Sequence, residues 1–301
     1  MKKTVIVILL FLTSFSYSQT AEDYFQSGLK KRELNDYQGA ILDFTKAIEI
    51  KPNANLYFDR GIAKKNIGDY QGAILDYTQS IELDSGYGVT YYNRGLAKDD
   101  LENYQDAIAD YSIAIELNPD NSDAYFNRAV DKRILGDAKG ALADYSKSDE
   151  LKPNESNVFL GMGLAKYDLE DYQGAIADYT KAIELNPNEM KAFNNRGMAK
   201  FDTEDYQGAI ADYSKAIELN PNIINAYFNR GNAKGRIEDY EGAVIDFTMA
   251  ITLNPNDSDS HFARGDTQHN LGQTDKACLD WRKAQELGNT DASNRIKKYC
   301  E

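Results

Sequence analysis

Cysteine and histidine are scarce in this chain, two of each, and Cys278, Cys300, His261 and His269 all fall near its C-terminal end. Few parts are left for a zinc centre or for histidine-dependent acid–base chemistry. No P-loop, no dinucleotide-binding fingerprint and no Cys-x-x-Cys pair occurs. The residues therefore point to no cofactor, no metal and no catalytic group, although carboxylates and tyrosines are plentiful enough to keep an enzyme as a rival reading. Positive charge is short as well: 34 Lys and Arg stand against 48 Asp and Glu, a net charge of -14. Nucleic acid, whose phosphates call for a basic stripe, is excluded on that balance, and an anionic membrane surface is disfavoured. A neutral to basic protein or peptide is the simpler partner.

Long hydrophobic runs are missing except for Thr4 to Phe15, which is too short for the roughly 20 residues that span a bilayer. Lys2-Lys3 precede this run and Ser16-Tyr17-Ser18 follow it, the marks of a secretory signal over residues 1–18 cleaved after Ser18. The expected location is the periplasm or extracellular space, with a bacterial look to the short leader, and no integral membrane segment remains once it is removed. A retained anchor is the alternative. No cysteine follows the run, so a lipid anchor has no attachment point.

What the chain has in abundance is repetition. The stretch Tyr206-Gln207-Gly208-Ala209-Ile210-Ala211-Asp212-Tyr213 returns almost verbatim from Tyr172. Its apolar residues share one face of an α-helix, Asp205 stands ready to cap the start, and Pro221 follows where the helix must stop. Aligned copies place an aromatic at Phe44, Tyr77, Tyr111, Tyr145, Tyr179, Tyr213, Phe247 and Trp281, at intervals of 33 once and 34 thereafter. Four residues before each stands Ala, and the chain's six prolines share one phase. A strip this narrow cannot form a core alone, so copies must stack on one another as a solenoid. A first helix precedes each such segment, as in Tyr57-Phe58-Asp59-Arg60-Gly61. Its Gly weakens a helix by about 0.5–1 kcal/mol; close approach to the recurrent Ala of the second helix is the expected reason.

This order of aromatic, Gly, Tyr, Ala, aromatic, Ala and Pro over 34 residues resembles the tetratricopeptide repeat. The resemblance implies an all-α fold, a right-handed superhelical solenoid of helix–turn–helix units (an α-α superhelix). Eight copies would fill an array over 19–289, at about 21–53, 54–87, 88–121, 122–155, 156–189, 190–223, 224–257 and 258–289, with a capping helix over 290–301. One departure is the Arg before the Gly (Arg60, Arg94, Arg128, Arg196, Arg230, Arg264) and the Lys three after it, where the family prefers Leu and Tyr. The fourth copy has Ala138 for Tyr, Ala129 for Gly, and Ser148-Asp149, and is expected to make the weakest joint.

Asp43, Asp76, Asp110, Asp144, Asp178, Asp212, Asp246 and Asp280 recur at one phase. With the Arg residues they are read as a structural ladder between helices; the alternative, a calcium or acid–base site, is opposed by spacing of a whole repeat between carboxylates. First helices line the concave groove in the family. The resemblance therefore makes Phe58, Tyr92, Phe126 and Phe228, beside Asn93, Asn127, Asn195 and Asn229, candidates for binding an extended peptide. Asn pairs with peptide backbone whatever the sequence, and aromatics supply anchor area; packing between repeats is the plainer alternative for both. Asp100, Asp168 and Asp202 would make one rim acidic. In an exported chain Cys278 and Cys300 are read as one bridge pinning the terminal helix, with two free thiols as the alternative. The functional expectation is an exported, non-enzymatic scaffold binding a protein or extended peptide through the groove. A self-associating component of the cell envelope is the alternative.

Overall fold

A computed structural model describes residues 19–301; the leader-like segment lies outside the described residues. Among the described residues there are seventeen α-helices and no strand. They divide into two compact units, one ending at Pro119 and one beginning at Asp120. The first holds the helix pairs α1 (Ala21–Glu33) and α2 (Tyr37–Ile50), α3 (Ala54–Asn66) and α4 (Tyr70–Leu83), and α5 (Gly88–Asp99) and α6 (Tyr104–Leu117). The second begins with α7 (Ser122–Ile134) and α8 (Ala138–Leu151), α9 (Ser156–Asp168) and α10 (Tyr172–Leu185), and α11 (Met190–Asp202) and α12 (Tyr206–Leu219). It continues with α13 (Ile224–Arg236) and α14 (Tyr240–Leu253), α15 (Ser258–Asn270) and α16 (Thr274–Glu286), and closes with α17 (Ala292–Tyr299).

Local chemistry sets the ends of each pair. The Asp205 carboxylate accepts the Gly208 amide hydrogen at 3.0 Å, and Asp36, Asp69, Asp137, Asp171 and Asp239 cap their second helices in the same way, each satisfying an otherwise orphaned donor. The residue before each cap turns the chain in the left-handed region: Gly68 and Gly136 do so at φ 80° and 86°, but Glu204 is held there at φ 63°. Within each unit every helix packs on its sequence neighbour, and consecutive first helices also touch: α1 on α3 and α3 on α5 in one unit, α7 through α15 in the other. Second helices do not approach each other in this way. Within each unit the first helices therefore crowd to one side, the sequential packing of a solenoid.

Between the layers lie the small Ala and the large ring, as with Ala209 and Tyr213 at 0% and 1% exposure. The Gly of the first helix answers to the ring and not to the Ala. A Cβ on Gly197 would lie 2.8 Å from Tyr213 Cε1, and one on Gly61 2.7 Å from Tyr77 Cε1. The expectation that Gly faces Ala is corrected: the ring's thickness sets the helix separation, and only Gly leaves room for it.

The recurrent Asp, Arg and Lys form a ladder. Arg196 donates to both oxygens of Asp212 at 2.9 and 2.6 Å and, across the repeat boundary, to the Thr180 hydroxyl at 3.0 Å. Lys200 lies 2.8 Å from the same carboxylate. Arg60, Arg94, Arg230 and Arg264 repeat the arrangement with Thr45, Thr78, Ser214 and Thr248. The first copy uses Ser27 and Lys31 on Asp43 instead; burial alone would raise that carboxyl, but these two partners outweigh it and hold the pKa down. In the fifth copy Met162 replaces the Arg, and Asp178 keeps only Lys166 at 2.7 Å. Burial pushes the Asp178 carboxyl above its ordinary range despite that lysine.

The fourth copy shows a compensation. With Ala129 in place of Gly, the Tyr145 ring leans instead on Gly161 of the next first helix, where a Cβ would meet its Cζ at 2.5 Å. The fifth copy thus carries two glycines, Gly161 for Tyr145 and Gly163 for Tyr179.

At the C-terminal end Cys278 and Cys300 are joined, with Cα atoms 5.7 Å apart. Ala292, Ile296 and Tyr299 close over Ala277, Trp281 and Ala284. Lys297 and Lys298 are exposed, but Arg295 on the same helix turns inward. It pairs with Asp266 at 2.9 and 3.0 Å and lies over the Phe262 ring, because Asp266 stands where the first six copies carry an apolar residue and the seventh Asn232, and would otherwise lack a counter-charge.

Candidate functional site

Exposed chemistry on the first helices begins with side chains that the core does not fully absorb. In the first unit Phe58 and Tyr92 are half-buried, each ring 5.9 Å from the second-helix ring of its own pair, Tyr77 and Tyr111. Asn93 donates its amide to the Val89 carbonyl one turn back at 2.8 Å. Asp59 occupies the Asn phase and accepts from Arg32, linking α1 to α3. Burial pushes the Asp59 carboxyl up, and Arg32 only partly opposes it. Asp100 is exposed at the end of α5. A larger opening in this unit, about 1070 Å³, is bounded by the start of α1 and the turns between pairs, near Pro52 and Tyr87, and none of the candidate residues lines it.

In the second unit Phe126 and Phe228 are half-buried against Tyr145 and Phe247, with centroids 5.6 and 5.7 Å apart. Asn127 and Asn195 are half-buried on α7 and α11, and Asn195 accepts a long 3.4 Å contact from Asn194. Asn229 lines a cavity of about 150 Å³ with Tyr167, Phe201 and Asp202. The acidic rim is largely answered from within: Asp168 pairs with Arg133 at 3.2 Å, and Asp202 accepts from the Tyr167 hydroxyl at 2.5 Å. Burial, then that hydrogen bond, drives the Tyr167 hydroxyl well above its usual pKa. These links join α7 to α9 and α9 to α11.

The candidate aromatics thus have a double attachment, one side on the second-helix ring and the other toward the open face of the first helices. Phe228 opens into a second cavity of about 520 Å³, bounded also by Phe201, Gly235, Arg236, Asp259, Asp266 and Asp291. None of these six was singled out from sequence. Their signal is phase: four residues after the helix Gly stand Arg133, Tyr167 and Phe201, then Gly235. Among the described residues no group of three His, Cys, Asp or Glu is placed to hold a metal, and no helix is long and apolar enough to cross a membrane.

Models of the tetratricopeptide repeat match residues 22–53, 54–87 and 224–257, residues 89–121 and 156–189, and residues 247–278, and a TPR repeat model matches 197–237. Among solved structures, the C-terminal part of a TPR repeat-containing protein from Cytophaga hutchinsonii is similar at 20% identity and TM-score 0.66, covering 79% of this chain and 98% of that one. MamA is similar at 25% identity and TM-score 0.52, covering 55% and 96%. YrrB, a TPR protein with an unusual peptide-binding site, is similar at 22% identity and TM-score 0.53, covering 61% and 95%. At 20% and 22% identity the likeness is one of fold. No curated protein matches the chain.

Proposed function

Because the chain belongs to the tetratricopeptide repeat family, we propose that it is an exported, non-enzymatic scaffold whose first-helix faces bind another protein as an extended segment. The carrying observation is the double attachment of Phe58, Tyr92, Phe126 and Phe228: each is anchored by a buried ring yet half-open beside an amide or carboxylate. Rigid rings of this kind supply contact area at low entropic cost, and neighbouring side-chain amides serve backbone groups of an extended ligand. YrrB lends support as a protein of the same fold with a peptide-binding site. Export rests on the leader-like residues 1–18 and agrees with a bridged Cys278–Cys300 pair.

Photocrosslinking tests the face. A benzoyl-phenylalanine at Asn195 or Asn229 should give a discrete adduct with a partner protein in cells, whereas one at exposed Ala177 or Ala211 on second helices should not. Adducts from the second-helix positions alone would refute the reading. The same experiment reports on leader removal, since the exported chain should begin at Gln19.

One observation favours self-association as a second reading. Leu42 and Leu75 on the outer side of α2 and α4 are 64% and 67% exposed, and Ile245 and Leu279 on α14 and α16 are 62% and 67% exposed. Second-helix adducts at twice the chain mass, with a mass that rises with concentration in light scattering, would select it.

A further inference from the structure

The cavity beside Phe228 has a specific cause in the sequence. Four residues after the first-helix Gly, the fifth and sixth copies place a ring that packs on the first aromatic of the second helix: Tyr167 on Tyr172 and Phe201 on Tyr206, both with centroids 5.3 Å apart. In the eighth copy His269 fills this phase, 5.6 Å from Trp281. In the seventh copy it is Gly235, where an added Cβ would meet nothing within 4 Å. Tyr240, which would receive the missing ring, lines the cavity instead.

The surroundings indicate what fills that space. Two guanidinium groups already lie on rings of this face: Arg236 over Phe201 and Tyr206 at 5.8 and 5.9 Å, and Arg295 over Phe262 at 5.8 Å with its fork on Asp266. Between them, among the described residues, no cation lies over Phe228. Asp266 is saturated by Arg295 and the Trp281 indole hydrogen. Asp259 is exposed and accepts on one oxygen only, from the Asn289 amide at 3.1 Å and the Ser258 hydroxyl at 3.5 Å, and Asp291 is exposed at the start of α17 without a side-chain cap bond. The one cationic lining residue, Arg236, is committed to its two rings. Aromatic rings and two exposed carboxylates lining one cavity match a planar cation that stacks and donates in a fork.

Resting on the peptide-binding reading above, we infer that this cavity is a specificity subsite that takes an arginine side chain of an extended partner polypeptide. The arginine stacks on Phe228 and Tyr240 and donates to Asp259 and Asp291. The wall carrying Asp291 is held by α17, and α17 by the Cys278–Cys300 bridge.

Random dodecapeptides displayed on phage are selected on the purified protein, and the enriched peptides are resynthesised with arginine, citrulline or alanine at any shared basic position. Arginine should be enriched, and citrulline, which keeps the shape and loses the charge, should weaken binding by about ten-fold or more. Gly235→Phe rebuilds the ring pair of the sixth copy with Tyr240, and should abolish the arginine preference without lowering the melting temperature. Asp259→Asn combined with Asp291→Asn is an independent second variant and should weaken the arginine peptide toward its citrulline form. Peptides that lack a basic position, or that bind Gly235→Phe undiminished, overturn the subsite. If such peptides still lose binding with Asn195→Ala, the first-helix reading stands without it. Recovery of no peptide at all overturns both.

Discussion

Replacing Arg196 by Met would give the sixth copy the arrangement that the fifth already has. Arg196 is largely buried and makes two charge-assisted hydrogen bonds to Asp212, itself 4% exposed, and a third to Thr180 in the preceding repeat. Wholly abandoning a buried charge costs about 3–5 kcal/mol. Lys200 stays 2.8 Å from Asp212, so the expected loss is smaller, about 2–3 kcal/mol. The loss should carry a pH signature. With only a lysine beside it, Asp212 should behave as Asp178 does, its carboxyl raised by burial. A carboxyl whose folded pKa exceeds its unfolded value binds more protons when folded, so stability falls as pH rises through that window. The deficit of the variant should therefore be full at neutral pH and narrow toward about pH 4, the unfolded carboxylate value. Urea unfolding at several pH values measures the total. Hydrogen exchange on α11 and α12 localises it, which matters because repeat arrays open in segments. Met162→Arg is the reciprocal change, giving Asp178 its fork and Ser146 its donor, and should stabilise. An Arg196→Met protein as stable as the parent, or more so, would show that the ladder is dispensable and that apolar packing replaces it without loss.

Glu204→Gly removes a side chain from φ 63° and should raise stability by about 0.5–1 kcal/mol in urea unfolding; a loss would mean the glutamate makes a compensating contact. Gly161→Asn, the residue its neighbours carry at that phase, should cost about 1–3 kcal/mol by colliding with the Tyr145 ring. Ala129→Gly should recover part of that cost by letting the ring swing back, and a double-mutant cycle without coupling would refute the compensation. Breaking the Cys278–Cys300 bridge with Cys300→Ser should release up to about 3 kcal/mol of stabilisation at the C-terminal end. The emission of Trp281, the chain's one tryptophan, should change with it, since Tyr299 stacks on that indole at 5.8 Å.

The helices and their pairing were legible because they depend on near neighbours in the chain. Asp-Tyr-Gln-Gly carries its own cap, and the phase shared by Arg, Lys and Asp is visible wherever copies align. The candidate site was legible only in part. Phe58, Tyr92, Phe126 and Phe228 stand on the first helices, but sequence does not reveal that each leans on the second-helix ring and keeps one side open. Asn93 donates its amide to its own helix, and the Asp202 carboxylate accepts from Tyr167, neither of which the repeat pattern foretells.

Sequence by itself determined the period, the helix ends and the all-α stacking, because each rests on contacts within a repeat or with the next one that recur at the same spacing along the chain. Tertiary structure alone decided where the pattern breaks to effect. Gly161 matters because Ala129 displaces a ring one repeat away, Gly235 because it leaves Tyr240 uncovered, and Arg295 because Asp266 would otherwise lack a counter-charge. Those three outcomes depend on side chains that meet across packed helices, where the direction of a ring and the room beside it, and not the spacing of residues along the chain, set what is filled and what stays open.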